Sequence, residues 1–414
     1  MQHDPVFHEI IVKSMQLILD RFEKSADDYG FIDTKFNIVS QAEFDSSEPF
    51  MQRDYIFGWI QGRALESLAG HWYYFKSCGM DELCSRISAV VRSLADRLEK
   101  CRKNNGGHIY FAMTPEGKAI GDVPANVNTF ADLFYGKGLF AAGALLKDAE
   151  LTETAEALLD AVFEDIEKER FVSGQVSFDP KNPAARTSPD KVPEGPRMIA
   201  LGALAELIDK SANTAKYADI AEKYITFIRE NHLFTTDGTF CFCEDIHRTT
   251  RKPYVDNGHI LCDPGHGLEF TGLAGKCLWK MQHKGIKADF IARCGEFLPE
   301  LFFTLYAKGH QAAPGGIVKA VDAVSGELLN SDMPWWNLPE TFRSASVLSK
   351  LYPEYAEKFS GVASEVRKFM LDGYVQSNGF CCQMRDENGR IVNVIPAVPD
   401  ADPGYHTNLC LMPV

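Results

Sequence analysis

The chain has no basic excess. Its 414 residues carry 43 Lys and Arg against 57 Asp and Glu, a net charge of −14. That balance argues against nucleic acid or an anionic membrane surface as the main partner. It also has no uninterrupted apolar run approaching the length of a bilayer span. The opening residues, Met1-Gln2-His3-Asp4-Pro5, show neither a basic n-region nor an apolar h-region, so no signal peptide is expected. The eleven cysteines include no CxxC pair, which removes zinc-finger spacing. Scattered and odd in number, they read as buried free thiols in a reducing cytoplasm. No linker-like stretch divides the chain. The Pro-rich segment Asp179–Pro196 reads as a loop, and a single domain over residues 1–414 is expected.

What the chain does have is a period. Apolar spacing predicts helices over residues 5–24, 53–78 and 81–103, followed by a strand-like stretch from Gly107 that ends in Pro115-Glu116-Gly117. Glycine-led segments of this kind recur at Gly174, Gly238, Gly315-Gly316 and Gly379. Helices are expected to start near Asp54, Asn128, Gly195, Pro264, Pro334 and Pro403. The steps are about 70 residues, the mark of an internal repeat. Helices at 82–103, 150–170, 213–231, 287–305 and 353–372 carry charged faces. Those between them carry aromatic, glycine and uncharged polar residues, as suits a buried layer. The expected fold is all-α, an (α/α)6 toroid or barrel of six helical hairpins, with short β-hairpins on the loops.

In such a fold the starts of the inner helices bring distant residues to one end of a pit: Trp59, Gln61 and Arg63; Arg197 and Met198; His266 and Glu269; Trp335, Trp336 and Glu340; Tyr405 and His406. Aromatic faces beside hydrogen-bonding groups suit a sugar. The stretch Asp263-Pro264-Gly265-His266-Gly267-Leu268-Glu269 places an imidazole and a carboxylate three residues apart in the first turn of a helix. The helix dipole there disfavours imidazolium, so a neutral His266 held by Glu269 is expected.

These residues resemble the N-acylglucosamine 2-epimerase superfamily, which includes cellobiose 2-epimerases and aldose–ketose isomerases. The matching patterns are Trp-x-Gln-x-Arg at Trp59, Gln61 and Arg63; Pro-Gly-His-x-x-Glu at Pro264 to Glu269; Trp-Trp-x-x-x-Glu at Trp335, Trp336 and Glu340; and the aromatic-His pair Tyr405-His406 before Cys410-Leu411-Met412. The chain departs from the family at Leu338, where Gln is common, and at Leu409, where Arg is common. It also has Met198 where the cellobiose-type enzymes carry a third histidine, which leans toward the N-acylglucosamine branch.

The resemblance implies proton transfer at C2 of a reducing sugar through an enediolate. His266 and His406 would be the acid/base pair, Glu269 would orient His266, and Arg63 would stabilise the developing oxyanion. Trp59, Gln61, Arg197, Trp335, Trp336, Glu340 and Tyr405 would bind the sugar. No cofactor or metal is expected, because His266 with Glu269 alone makes a poor metal site. The expected partner is a small-molecule sugar, in the cytoplasm, with a homodimer allowed. Alternatives are an aldose–ketose isomerase or cellobiose-type epimerase, an (α/α)6 glycoside hydrolase using Glu269 and Glu340, and a noncatalytic sugar-binding protein.

Overall fold

The computed structural model describes residues 4–25, 29–44, 47–121, 126–174, 188–392 and 398–413. Its helices, in chain order, are α1 (Pro5–Glu23), α2 (Gly58–Ser77), α3 (Asp81–Asn104), α4 (Phe130–Leu146), α5 (Ala149–Glu167), α6 (Gly195–Lys210), α7 (Thr214–Asn231), α8 (Pro264–His283), α9 (Ala288–Gly295), α10 (Leu298–Gly309), α11 (Asn337–Leu351), α12 (Ala356–Gly373) and α13 (Thr407–Leu411). No helix among the described residues is long and apolar enough to cross a membrane. The chain groups into two compact units. The first holds residues 1–185, 376–381 and 395–413; the second holds 186–375 and 382–394.

In the first unit α2 pairs with α3, α4 with α5, and the short α13 with α1. The helices of a pair differ in kind. In α4, residues 131–143 are buried without a break, whereas α5 buries one stripe, Ala155, Leu159, Val162, Phe163 and Ile166. A helix apolar all round belongs in an interior, and a striped one belongs at its edge. α2 lies on α4 with backbone against backbone. A Cβ on Gly62 would stand 2.6 Å from the Phe134 carbonyl carbon and the Tyr135 nitrogen. Glycine is therefore what lets Arg63 approach Phe134. α4 starts at a capping box between Thr129 and Asp132.

In the second unit α6 pairs with α7, α8 with α9 and α10, and α11 with α12. α8 packs on α11 through small residues: Gly272 meets Ser344, Gly275 meets Val347, and the Thr271 and Ser344 hydroxyls are 2.6 Å apart. The helix expected over 287–305 is broken between α9 and α10. Pro299 lacks an N–H and clashes with the carbonyl four residues back, which falls on Gly295, the last residue of α9.

Small strand pairs shift several helix starts. Ile56–Phe57 pairs antiparallel with Ala112–Met113, so α2 begins at Gly58, whose N–H bonds to the Phe111 carbonyl. Met333–Pro334 pairs with Met384–Arg385, so α11 begins at Asn337 rather than near Pro334. At the C-terminal end, α13 begins at Thr407 rather than near Pro403, because the Asp402 carboxylate accepts from the N–H groups of Tyr405, His406 and Thr407. Leu233–Thr236 and Thr239–Phe242 form a hairpin across Asp237-Gly238. Val255–Asp256, His259–Cys262, Ala320–Asp322 and Leu328–Asn330 form a four-stranded antiparallel sheet. The strand expected after Gly174 lies outside the described residues, as does most of the Pro-rich loop at 179–187. All eleven cysteines are free thiols, ten of them buried.

Candidate functional site

In the first unit the Arg63 guanidinium sits 4.5 Å from the Trp59 ring, 4.2 Å from Phe134 and 5.0 Å from Tyr405. Aromatic faces attract a cation through their negative quadrupole, so α2, α4 and the segment before α13 jointly hold this arginine. The Tyr405 hydroxyl accepts a 2.8 Å hydrogen bond from Lys137, whose Nζ is also 3.0 Å from Glu66 Oε2. Lys137 and Glu66 are both buried. The sequence reading missed them, although a lone lysine in the otherwise uncharged run Leu133–Leu146 is a readable signal. His406 is buried beside Tyr405, with ring centroids 4.9 Å apart. Trp59 is buried, and its indole Nε1 has no hydrogen-bond partner among the described residues.

Gln61 has a different job from the one expected. Its amide oxygen accepts from the Ile32 N–H at 2.8 Å, and its amide nitrogen donates to the Ile32 carbonyl at 2.9 Å. A primary amide offers a donor and an acceptor in the spacing of a peptide, so Gln61 acts as a strand partner for the loop and holds it on α2.

In the second unit Asp263 caps α8, accepting from the N–H groups of Gly265 and His266, and Pro264 takes the first helical position. Gly265 is required because the Asn337 side-chain amide occupies the space a Cβ would need. Asn337 in turn donates to the Ile317 carbonyl at 3.1 Å.

The His266 ring stacks on Trp336, centroids 5.2 Å apart and planes 27° apart. Its Nδ1 lies 2.8 Å from Glu244 Oε2, 3.5 Å from Asp263 Oδ2 and 4.0 Å from Glu194 Oε1. The carboxylate that holds the ring is therefore Glu244, 22 residues earlier, and not Glu269, which is buried further along α8. The expected neutral ring is corrected as well. Burial pulls the His266 pKa down, but the Asp263 and Glu244 carboxylates outweigh it and lift the pKa to about 10. A helix N-terminus disfavours imidazolium by only about 0.3–1 kcal/mol, and two carboxylates within 4 Å overcome that. Some 32% of the side chain stays open to solvent, which screens part of the effect.

Burial raises the Glu244 carboxyl, yet its bond to the ring makes it the counter-ion. Burial, with Glu244 close by, holds the Glu194 carboxyl well above the usual range. Lys319 pairs with Asp263 and places its ammonium 5.3 Å from the Trp336 ring centre. Nothing in the motifs pointed to Glu194, Glu244 or Lys319, because strand pairing and not helical spacing brings them in.

Two further expected sugar contacts have protein partners. The Arg197 guanidinium lies 3.7 Å from the Phe227 ring centre, in the α6–α7 interface. Glu340 is fully buried and ion-paired with Arg343, one turn along α11. Trp335 is buried and Trp336 half-buried, so Trp336 is the more open platform. Leu338 and Met198 are both buried.

No protein-family model matches the chain, and no curated protein matches it significantly. Solved structures do. A sugar epimerase from a ruminal bacterium aligns with a TM-score of 0.71 at 15% identity, covering 98% of this chain and 97% of that one. A cellobiose 2-epimerase from Spirochaeta thermophila aligns with a TM-score of 0.67 at 13% identity over 96% of each chain. A D-mannose isomerase aligns with a TM-score of 0.65 at 14% identity, again over 96% of each. Glycosidases follow at lower similarity, such as an α-mannanase from Bacteroides thetaiotaomicron with a TM-score of 0.56 at 11% identity. The chain thus has the (α/α)6 fold that these sugar epimerase and isomerase structures share, the fold class its sequence pattern predicts.

Proposed function

We propose that the protein is a carbohydrate isomerase of the 2-epimerase type, moving the C2 proton of a reducing sugar through an enediolate, with N-acylglucosamines as its substrate class. The observation that carries this is the oriented imidazole of His266, held at Nδ1 by Glu244, stacked on Trp336 and partly open. An aldehyde at C1 makes the C2 proton acidic. Inversion needs one group to take that proton and another to return it on the opposite face, and His266 and His406 are assigned these roles. Arg63, its guanidinium set among three aromatic rings, is assigned to the enediolate oxygen. Trp336 and Tyr405 are the assigned sugar contacts.

A second reading, an aldose–ketose isomerase returning the proton to C1, draws support from the D-mannose isomerase among the similar structures. A two-carboxylate hydrolase has less support, since Glu340 is buried against Arg343.

The test is incubation with a panel of reducing sugars in D2O, following the C2 proton by NMR. Deuterium should enter at C2 of at least one N-acylglucosamine. His266→Asn and His406→Asn should each keep the fold and cut turnover by roughly 10²–10⁴. No exchange with any sugar, or release of a reducing end from an oligosaccharide, would overturn the reading.

A further inference from the structure

Glu194 stands beside His266 with no task yet in the proton transfer. It lies just before α6, is 1% exposed, and neither of its carboxyl oxygens has a hydrogen-bond partner among the described residues. Its Oε1 is 4.0 Å from His266 Nδ1, and one of its oxygens is within 4.8 Å of one on Glu244. Its backbone N–H is tied to the Glu244 carbonyl at 3.0 Å, beside the strand pair of Lys191–Pro193 with Asp245–His247. A buried polar group with no partner is costly, and two ionised carboxylates this close in an interior cost more.

The surroundings decide which form Glu194 takes. Three more acids face it: Glu244, and Asp263 and Glu269 at the start of α8. The nearby cations are committed elsewhere. Lys319 is paired with Asp263, Lys191 with Asp245, and the Arg197 guanidinium lies on the Phe227 ring. The His266 ring gives its Nδ1 proton to Glu244 at 2.8 Å. A carboxyl in this company keeps its proton, so Glu194 has an O–H to donate. Glu244 can accept it. Its Oε1 takes the Asp263 N–H at 3.2 Å and its Oε2 takes the ring N–H, and each oxygen has a second lone pair. The last torsion of a glutamate is soft, so rotation of one carboxyl brings the pair to hydrogen-bond length.

We propose that Glu194 is a positioning residue for the reaction: as a neutral acid it donates a hydrogen bond to Glu244, and so limits how strongly Glu244 holds the Nδ1 proton of His266. The Glu244–His266 bond stays as it is, and Nε2 remains the nitrogen available to the sugar. A carboxylate that already receives a hydrogen bond is a weaker partner for imidazolium. The ring then gives up its Nε2 proton more readily. An ionised Glu194 would do the reverse, adding a second negative charge 4.0 Å from Nδ1. The two forms therefore act with opposite signs. The kinetic part of the test rests on the proton-transfer reading. The spectroscopic part needs no sugar and no turnover, so failure of one is distinct from failure of the other.

The full chain is compared with Glu194→Gln, Glu194→Leu and His266→Asn at pH 7.5. The infrared difference between the native chain and Glu194→Gln should show the carbonyl stretch of a protonated carboxylic acid, and not the paired bands of a carboxylate. In proton NMR the His266 Nδ1–H is identified by its loss in His266→Asn. It should move further downfield in Glu194→Leu, where Glu244 loses a donor. It should stay near its native position in Glu194→Gln, whose amide still donates. With a substrate in hand, the limb of the kcat/KM profile set by His266 should rise by about one pH unit in Glu194→Leu, the worth of one hydrogen bond, and should return in Glu194→Gln. The infrared reading uses only the isosteric variant and decides the matter if Glu194→Leu does not fold. Carboxylate bands in the difference spectrum, an Nδ1–H unmoved in folded Glu194→Leu, or one moved upfield in Glu194→Gln would each overturn the proposal.

Discussion

Lowering the pH should loosen the first unit through one buried ring, His71. It is fully buried on α2, two turns beyond Arg63. Its Nδ1 is 2.7 Å from the Ser67 carbonyl, which can only accept, so Nδ1 carries the hydrogen. Its Nε2 is 2.9 Å from the Asn408 amide nitrogen, a donor that also reaches Ser14 Oγ at 2.8 Å, so Nε2 accepts. Both nitrogens are committed to the neutral ring. Burial pulls the pKa from 6.5 down to about 4, only partly opposed by the bond to Ser67. Above pH 6.5 neither the folded nor the unfolded state takes up a proton here, and the full stability is present. Below it the unfolded chain protonates first, so stability falls with pH until the folded ring titrates near 4. Linkage gives a loss of about 2 kcal/mol at pH 5 and about 3 kcal/mol at the limit. The assay is urea denaturation of the native chain and of His71→Gln from pH 7.5 to 4.5. The variant has its own constant cost but lacks this pH slope, and other buried histidines such as His232 cancel in the difference. The reasoning fails if that difference is flat across the range, or if the His71 ring protons titrate near 6.5 by NMR.

Other perturbations test the packing around Arg63. Gly62→Ala places a methyl on the Phe134–Tyr135 backbone and should cost about 1–3 kcal/mol; a urea midpoint equal to wild type would contradict the close approach of α2 and α4. Lys137→Met strands Glu66 in the interior and should cost about 3–5 kcal/mol, whereas adding Glu66→Gln should recover much of it. Thermal melts of the single and double variants read this out. Gln61→Leu removes both partners of the Ile32 peptide and should cost about 1–3 kcal/mol for each buried group left unsatisfied, with faster amide exchange at Ile32 as the local sign.

The repeat of about 70 residues was legible because burial demands it: each helix buried all round needs a striped one beside it, and the composition shows the alternation. Helix starts were less legible at Ile56–Phe57 and Met333–Pro334, where short strand pairs take up residues that could begin a helix. The His266 motif was readable as a helix start with chemistry, yet its true partner was not. Helical spacing offered Glu269, while Glu244 arrives through a strand pair that no local pattern encodes. Gln61 failed for a related reason, since nothing in its own helix reveals that Ile32 lies against it. Lys137 was visible in principle, because a charge in an apolar helix must find a partner.

The pairing of α1 with α13 also sets an order of assembly. During synthesis α1, α2 and α4 emerge early, but Tyr405 and Asn408 come 268 to 394 residues after the side chains they meet there. Until then the His71 Nε2 has no amide to accept from, Ser14 has no Asn408, and Lys137 lacks the Tyr405 hydroxyl. The second unit, nearly all of it contiguous in sequence, has no such wait. A ribosome-bound chain ending near residue 395 therefore carries a second unit with nearly all its contacts available and a first unit still open at its aromatic cage. The final segment acts as a latch, and the same residues that close it bring His406 into the structure.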